Sequence, residues 1–144
     1  AHWVMELHEM QDAETAERCI HTVFPGREID CVAFPYPTLD WDVEAADEYI
    51  VREMRQRRWS SLVLVRPQWS AERVAQLLEL QGVLGVKPYF QLIGHDSGHR
   101  DRYLQSSIFD LLPHHQLEVL NDRGAWVTMH VPRAGRLAHP DNLR

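Results

Sequence analysis

Apolar positions along the chain fall into two alternating patterns, one recurring every three to four residues and one of short unbroken runs, which predicts helices alternating with buried strands. Residues 12–24 carry Ala16, Ile20 and Val23 on one helical face, with Asp12 as N-cap and Pro25 and Gly26 as the stop. A short apolar run from Ile29 to Phe34 predicts a strand closed by Pro35. The next helix runs from about Trp41 to Arg57, with Val43, Ala46, Ile50 and Met54 as its apolar stripe. Its first half is acidic (Asp42, Glu44, Asp47, Glu48) and its last turns are basic (Arg52, Arg55, Arg57, Arg58), the order that complements the helix dipole.

Ser61 to Arg66 predicts a second strand, closed by Pro67 and nearly all apolar, as a strand covered on both faces should be. Ser70 caps a helix carrying Val74, Leu77 and Leu78 and stopped by Gly82. Val83 to Tyr89 predicts the third strand, followed by a polar loop over 91–101 rich in Gly and His. Pro113 suits the first position of a helix that carries Leu117 and Leu120 and ends at Gly124. Ala125 to Met129 predicts the fourth strand, running into His130, Val131 and Pro132.

About four strands alternating with amphipathic helices predict an α/β fold with a parallel sheet. Such a set fits either half of an eight-stranded (β/α) barrel or a small open doubly wound sheet. No Gly-rich phosphate loop follows any strand, so a nucleotide-binding open sheet has no support. No repeat, low-complexity tract or internal domain boundary interrupts the 144 residues.

Composition narrows the function classes. Hydrophobic residues make up 44% and charged residues 25%, ordinary for a globular chain with a core. The net charge of −6, with no basic stripe, argues against nucleic acid as the main partner. No apolar run approaches the roughly 20 residues of a membrane helix, and no signal peptide opens the chain. Cys19 and Cys31 lack the number and spacing of a zinc site or a disulfide framework; each sits in an apolar pattern and reads as a core thiol, which points to a reducing, cytoplasmic setting. The chain opens on Ala1 and stops at Arg144 just as a helix is predicted to start after Pro140, so the expectation is one segment, 1–144, of a longer barrel truncated at both ends.

In parallel β/α folds ligands bind at the carboxyl ends of the strands. There the second strand places Arg66, the third Lys87 and the fourth His130, each followed within two positions by a proline that turns the chain outward. Lys87 is the only lysine; the other basic residues are all arginine. An amine retained in so arginine-rich a chain suggests chemistry that a guanidinium cannot do: carbamylation and metal bridging, Schiff-base formation, or general-base action with a lowered pKa. The competing reading is a lysine reaching from a strand end to solvent. His130 offers an imidazole, the commonest side-chain metal ligand. Arg66 and Arg133 could hold a carboxylate in bidentate fashion, against a plain salt-bridge role. Tyr36 and Tyr89 adjoin strand ends and could face a pocket, whereas Phe34, Phe90 and Trp126 read as core. The remaining histidines are weaker candidates: His114 and His115 read as surface, His95 and His99 as loop, and His2 and His8 have no partner pattern.

Gly124 to Arg133, followed by Leu137 to Leu143, resembles the fifth barrel strand of the amidohydrolase-related family: a helix ending in Gly, an apolar strand ending in His, a Pro-Arg step and an Asp-containing turn. Gly85 to Tyr89 is similar to the fourth strand of some members, and 29–37 and 62–67 to the second and third. The resemblance covers nearly the whole chain and implies a partial (β/α)8 TIM barrel with a divalent metal, often zinc, at the strand ends. It implies His130 as the fifth-strand metal ligand and sets Lys87 on the strand where some relatives carry a carbamylated lysine. The family's first-strand His-x-His would precede Ala1, and its sixth- and eighth-strand ligands would follow Arg144. With one matched ligand, this segment alone is expected to bind metal weakly and to be inactive.

The expected function is therefore a metal-dependent hydrolase, in which metal-activated water attacks a small carbonyl-type substrate. Lys87 would be catalytic, His130 metal-binding, and Arg66, Arg133 and Tyr89 substrate-binding. The alternatives are a non-oxidative decarboxylase of the same family and a non-catalytic β/α scaffold. The expected partner is a small molecule, with no nucleic acid and no membrane; self-association into a homo-oligomer is left open.

Overall fold

The computed structural model describes residues 12–36, 42–93 and 105–130. Its helices begin where polar side chains can satisfy the free N–H groups of a first turn. Helix α1 (Ala13–Val23) is capped by Asp12, whose carboxylate accepts the Thr15 N–H at 2.7 Å. Helix α2 (Val43–Arg57) is capped by Asp42, which accepts from both Glu44 and Ala45. Helix α3 (Ala71–Leu78) is capped by Ser70, which accepts from Arg73. A short helix α4 (Ile108–Leu111), absent from the sequence expectation, starts at Ser107, whose N–H and hydroxyl both donate to Asp110. Helix α5 (His114–Asp122) follows Pro113, which stands at the N-cap.

Four strands, β1 (Val32–Ala33), β2 (Ser60–Val65), β3 (Val83–Pro88) and β4 (Trp126–Val127), form one sheet in the order β1-β2-β3-β4, and every neighbouring pair is parallel. Strand order equals chain order, so among the described residues the sheet has no switch point of the kind a doubly wound sheet needs. The described helices lay most of their buried apolar residues on one face of the sheet. Val63 and Val65 of β2 and Val86 of β3 pack with Val74 and Leu77 of α3 and Leu120 of α5; Ala33 of β1 packs with Ala13, Ile50 and Met54 of α1 and α2. Sequential parallel strands with helices on one face are the arrangement of a partial (β/α) barrel. Each fully buried Val or Leu in this layer contributes about 1.5–3 kcal/mol of hydrophobic stabilisation. Among the described residues no helix is long and apolar enough to cross a membrane.

Several elements differ from the sequence expectation. The predicted strands at 29–34 and 125–129 pair over only two residues each, because both lie at the sheet edges, where one flank has no ladder among the described residues to extend. In α1 only Ala13 is buried, and Val23 remains 67% exposed, because the helix leans on α2 through its first turns. There the Ala13 N–H donates to the Tyr49 hydroxyl and Arg57 pairs with Glu17. Cys19 and Cys31 are half-buried free thiols rather than fully enclosed core residues.

Gly85 is required by the close approach of β3 and β4. A Cβ there would collide with the backbone carbonyl and nitrogen of Trp126. Gly85→Ala is therefore expected to push β4 off the sheet at a cost of about 1–3 kcal/mol, read as a lower urea midpoint. An unchanged midpoint would mean that the two backbones have room to separate.

Candidate functional site

Register assigns the other face of the sheet. Leu64 lies opposite Lys87, Val63 opposite Val86, and Val86 opposite Val127. Successive side chains alternate between faces, so Val63 and Val86, which pack with the helices, and Val127, in register with Val86, leave Leu64, Lys87 and Thr128 on the opposite face. Two residues further on, past the carboxyl ends, the same parity brings Tyr89 and His130 to that face. On the β1 side Ala33 faces the helices, so Phe34 and Tyr36 belong with Lys87.

These residues meet. The Lys87 amine lies 4.5 Å from the Tyr89 ring centroid and 5.5 Å from that of Phe34. The His130 ring stacks on Tyr89 at 5.7 Å between centroids, and Tyr36 meets Tyr89 edge-on at 6.5 Å. Tyr89 is thus the hub between the one lysine and the strand-end histidine. It is anchored from behind, because it packs against the buried cluster of Val43, Leu64 and Leu92. The 3-10 turn Phe90–Leu92 directly after β3 supplies Leu92, which is fully buried.

Lys87 is 4% exposed, and burial lowers its amine below the ordinary lysine value. No carboxylate among the described residues pairs with it. The ring faces favour the ammonium by about 0.5–2 kcal/mol, so they offset part of the burial effect. Burial also raises the Tyr89 phenol, with Tyr36 adding to the shift. The arrangement therefore presents an amine with no carboxylate partner among the described residues, aromatic rings beside it, and an exposed imidazole at its rim.

Arg66 follows the end of β2 and is half-buried. Its carbonyl is held by Gln116, whose amide nitrogen donates to Arg66 at 2.8 Å and to Trp69 at 2.9 Å. Sequence reasoning passed over Gln116, although it stands on the same face of α5 as Leu117 and Leu120, and it is fully buried. His115, expected at the surface, is exposed and places Nε2 2.9 Å from the Trp69 carbonyl, so that nitrogen carries the hydrogen. His114 stacks on Phe109. Arg133, His95, His99, His2, His8 and the 137–143 turn lie outside the described residues.

Asp47 is the larger departure. Its carboxylate belongs to the acidic first half of α2, yet the residue is 3% exposed. Oδ1 accepts the Leu64 N–H at 2.8 Å, and Oδ2 is buried with no partner. Burial drives its pKa up to about 7, opposed by the Leu64 hydrogen bond and by Arg73, and aided by Glu44. The signal was present in the spacing: Val43, Asp47, Ile50 and Met54 fall on one helical stripe.

His130 fits a divalent metal as a single imidazole ligand. Among the described residues no three His, Cys, Asp or Glu side chains converge to complete a shell. A surface groove along α2, lined by Glu48, Val51, Arg52, Arg55, Gln56 and Leu80, contains none of the strand-end residues. No family model, no curated protein and no solved structure matches this chain.

Proposed function

We propose that the chain carries part of the active site of a metal-dependent hydrolase of the amidohydrolase-related type, acting on a small carbonyl-type substrate. The observation that supports this reading best is the meeting of Lys87, Tyr89 and His130 at the carboxyl ends of neighbouring parallel strands, where β/α enzymes bind ligands. His130 would contribute one ligand to a divalent cation, with zinc the first to test. Such an ion, when bound, lowers the pKa of a water to about 7 and polarises a carbonyl.

The chain's own residues have separable roles. Tyr89 offers a ring face against which a flat substrate can lie, held rigid by the cluster behind it. Lys87 presents its amine to the substrate from the same side. The amine serves as a hydrogen-bond donor to a developing oxyanion when protonated, and as a base when neutral. Arg66, at the end of the strand next to Lys87, and Arg133 would pair with an anionic substituent.

The test is metal content in a protein that carries the complete barrel. His130→Ala is expected to lower bound metal, read by elemental analysis after dialysis against a mild chelator, and to lower turnover with it. Full metal occupancy in His130→Ala would end the ligand assignment. The same protein with no tightly bound metal at all would overturn the metal-dependent reading and favour a β/α scaffold for the metal-site residues.

A further inference from the structure

Lys87 combines features that metal binding does not require. It is the only primary side-chain amine in the chain. Its stem is buried, and its nitrogen lies against the faces of Tyr89 and Phe34. No carboxylate among the described residues holds it as an ammonium. A lysine whose task is structural normally finds an acid or reaches water with its charged end. This one ends against two aromatic rings, surfaces on which a planar conjugated group can pack.

We propose that Lys87 is a carbonyl-capturing amine, which condenses with the aldehyde or ketone group of a small planar molecule packed against the Phe34 and Tyr89 rings. The Nζ lone pair forms a bond to the carbonyl carbon while the C=O π pair moves to oxygen. One nitrogen proton passes through solvent to that oxygen, giving a carbinolamine. The hydroxyl then leaves as water, with a proton taken from solvent, as the C=N bond forms and nitrogen releases its second proton. The balance is one amine plus one carbonyl giving one imine plus one water, with no oxidant or reductant. Three features favour the step. The amine is less strongly held in its charged form because of burial. The neutral imine loses less by desolvation than an ammonium does. The flanking rings stack on the flat C=N system.

This inference rests on the strand-end mouth being open to small molecules, but not on the metal reading, and the test separates the two. The full chain is incubated with limiting pyridoxal 5′-phosphate, or with glyoxylate, in the presence of a chelator and cyanoborohydride. Hydride from cyanoborohydride adds to the imine carbon and leaves a stable secondary amine, located by peptide mapping. With one lysine, the only competing primary amine is the α-amine of Ala1. The expected result is an adduct at Lys87 that forms at least tenfold faster than on Nα-acetyl-lysine amide under the same conditions. In urea-unfolded chain that advantage is expected to vanish. Phe34→Ala, at a site already 40% exposed, is expected to slow the folded reaction several-fold without unfolding the chain. Trapping at Lys87 no faster than on the model amine overturns the proposal, as does an equal rate in folded and unfolded chain. Because the chelator is present throughout, loss of metal at His130 leaves the trapping result unchanged.

Discussion

Asp47→Asn is expected to abolish a loss of stability of up to about 4 kcal/mol that the unaltered chain suffers as pH rises from about 4 to about 7. The native carboxyl is held near 7 by burial, against 3.8 for the free group. Between those values the native state keeps the Asp47 proton and the unfolded state has released it, so folding stability falls with rising pH. Below about 4 both states are protonated and the contribution is complete; above about 7 both are ionised and the loss is complete. Arg73 and Glu44 are the charged neighbours that act on the group, and Arg73 pairs with Glu44 at 2.9 Å, so their opposite effects partly cancel.

Asparagine keeps an oxygen to accept the Leu64 N–H but cannot ionise. It leaves an amide where Oδ2 now has no partner, which is a constant penalty independent of pH. The measurement is urea unfolding of both chains at several pH values between 4 and 8, compared as a difference so that the other carboxylates cancel. Parallel curves would show that Asp47 is solvated in the native state.

If the proposed hydrolase function holds, Lys87→Arg is expected to lower turnover about hundredfold or more, the usual range for removing a proton-transferring or charge-stabilising group, with little change in the urea midpoint. The guanidinium retains the positive charge and can still lie on Tyr89 and Phe34, so the packing reason for a cation is preserved. It cannot lose a proton at neutral pH, cannot be carbamylated and cannot form an imine. A large fall in kcat with a stable fold therefore identifies amine chemistry, whereas a rise in KM alone would indicate charge-based substrate binding. Unchanged kinetics would remove Lys87 from the catalytic set and leave the sheet as described.

The chain's local features were legible because their free energies are local. Asp12 and Ser70 each cap the helix that follows, since a short polar side chain beside free N–H groups has one favourable use there. The alternation of helical stripes with apolar runs implied parallel strands, since consecutive parallel strands must be joined by a crossover. The strand-end positions of Lys87 and His130 followed from where the apolar runs stop, and Tyr36 and Tyr89 from their nearness to those ends.

Tertiary structure alone decided which neighbours cover each face. Asp47 lies four residues after Val43 and three before Ile50, but spacing alone gives a carboxylate no reason to be buried; only the position of β2 shows that the Leu64 N–H is there to receive it. Gln116 looked like any polar residue of a helix's first turn until the β2–α3 loop was seen to bring the Arg66 and Trp69 carbonyls to it. Val23 fitted an apolar stripe and stays exposed because α1 meets α2 only through its first turns. Phe34 read as core and instead faces the Lys87 amine across β2. In each case the side chain's own chemistry permits two environments, and the choice depends on a segment distant in sequence, which pattern and propensity do not encode.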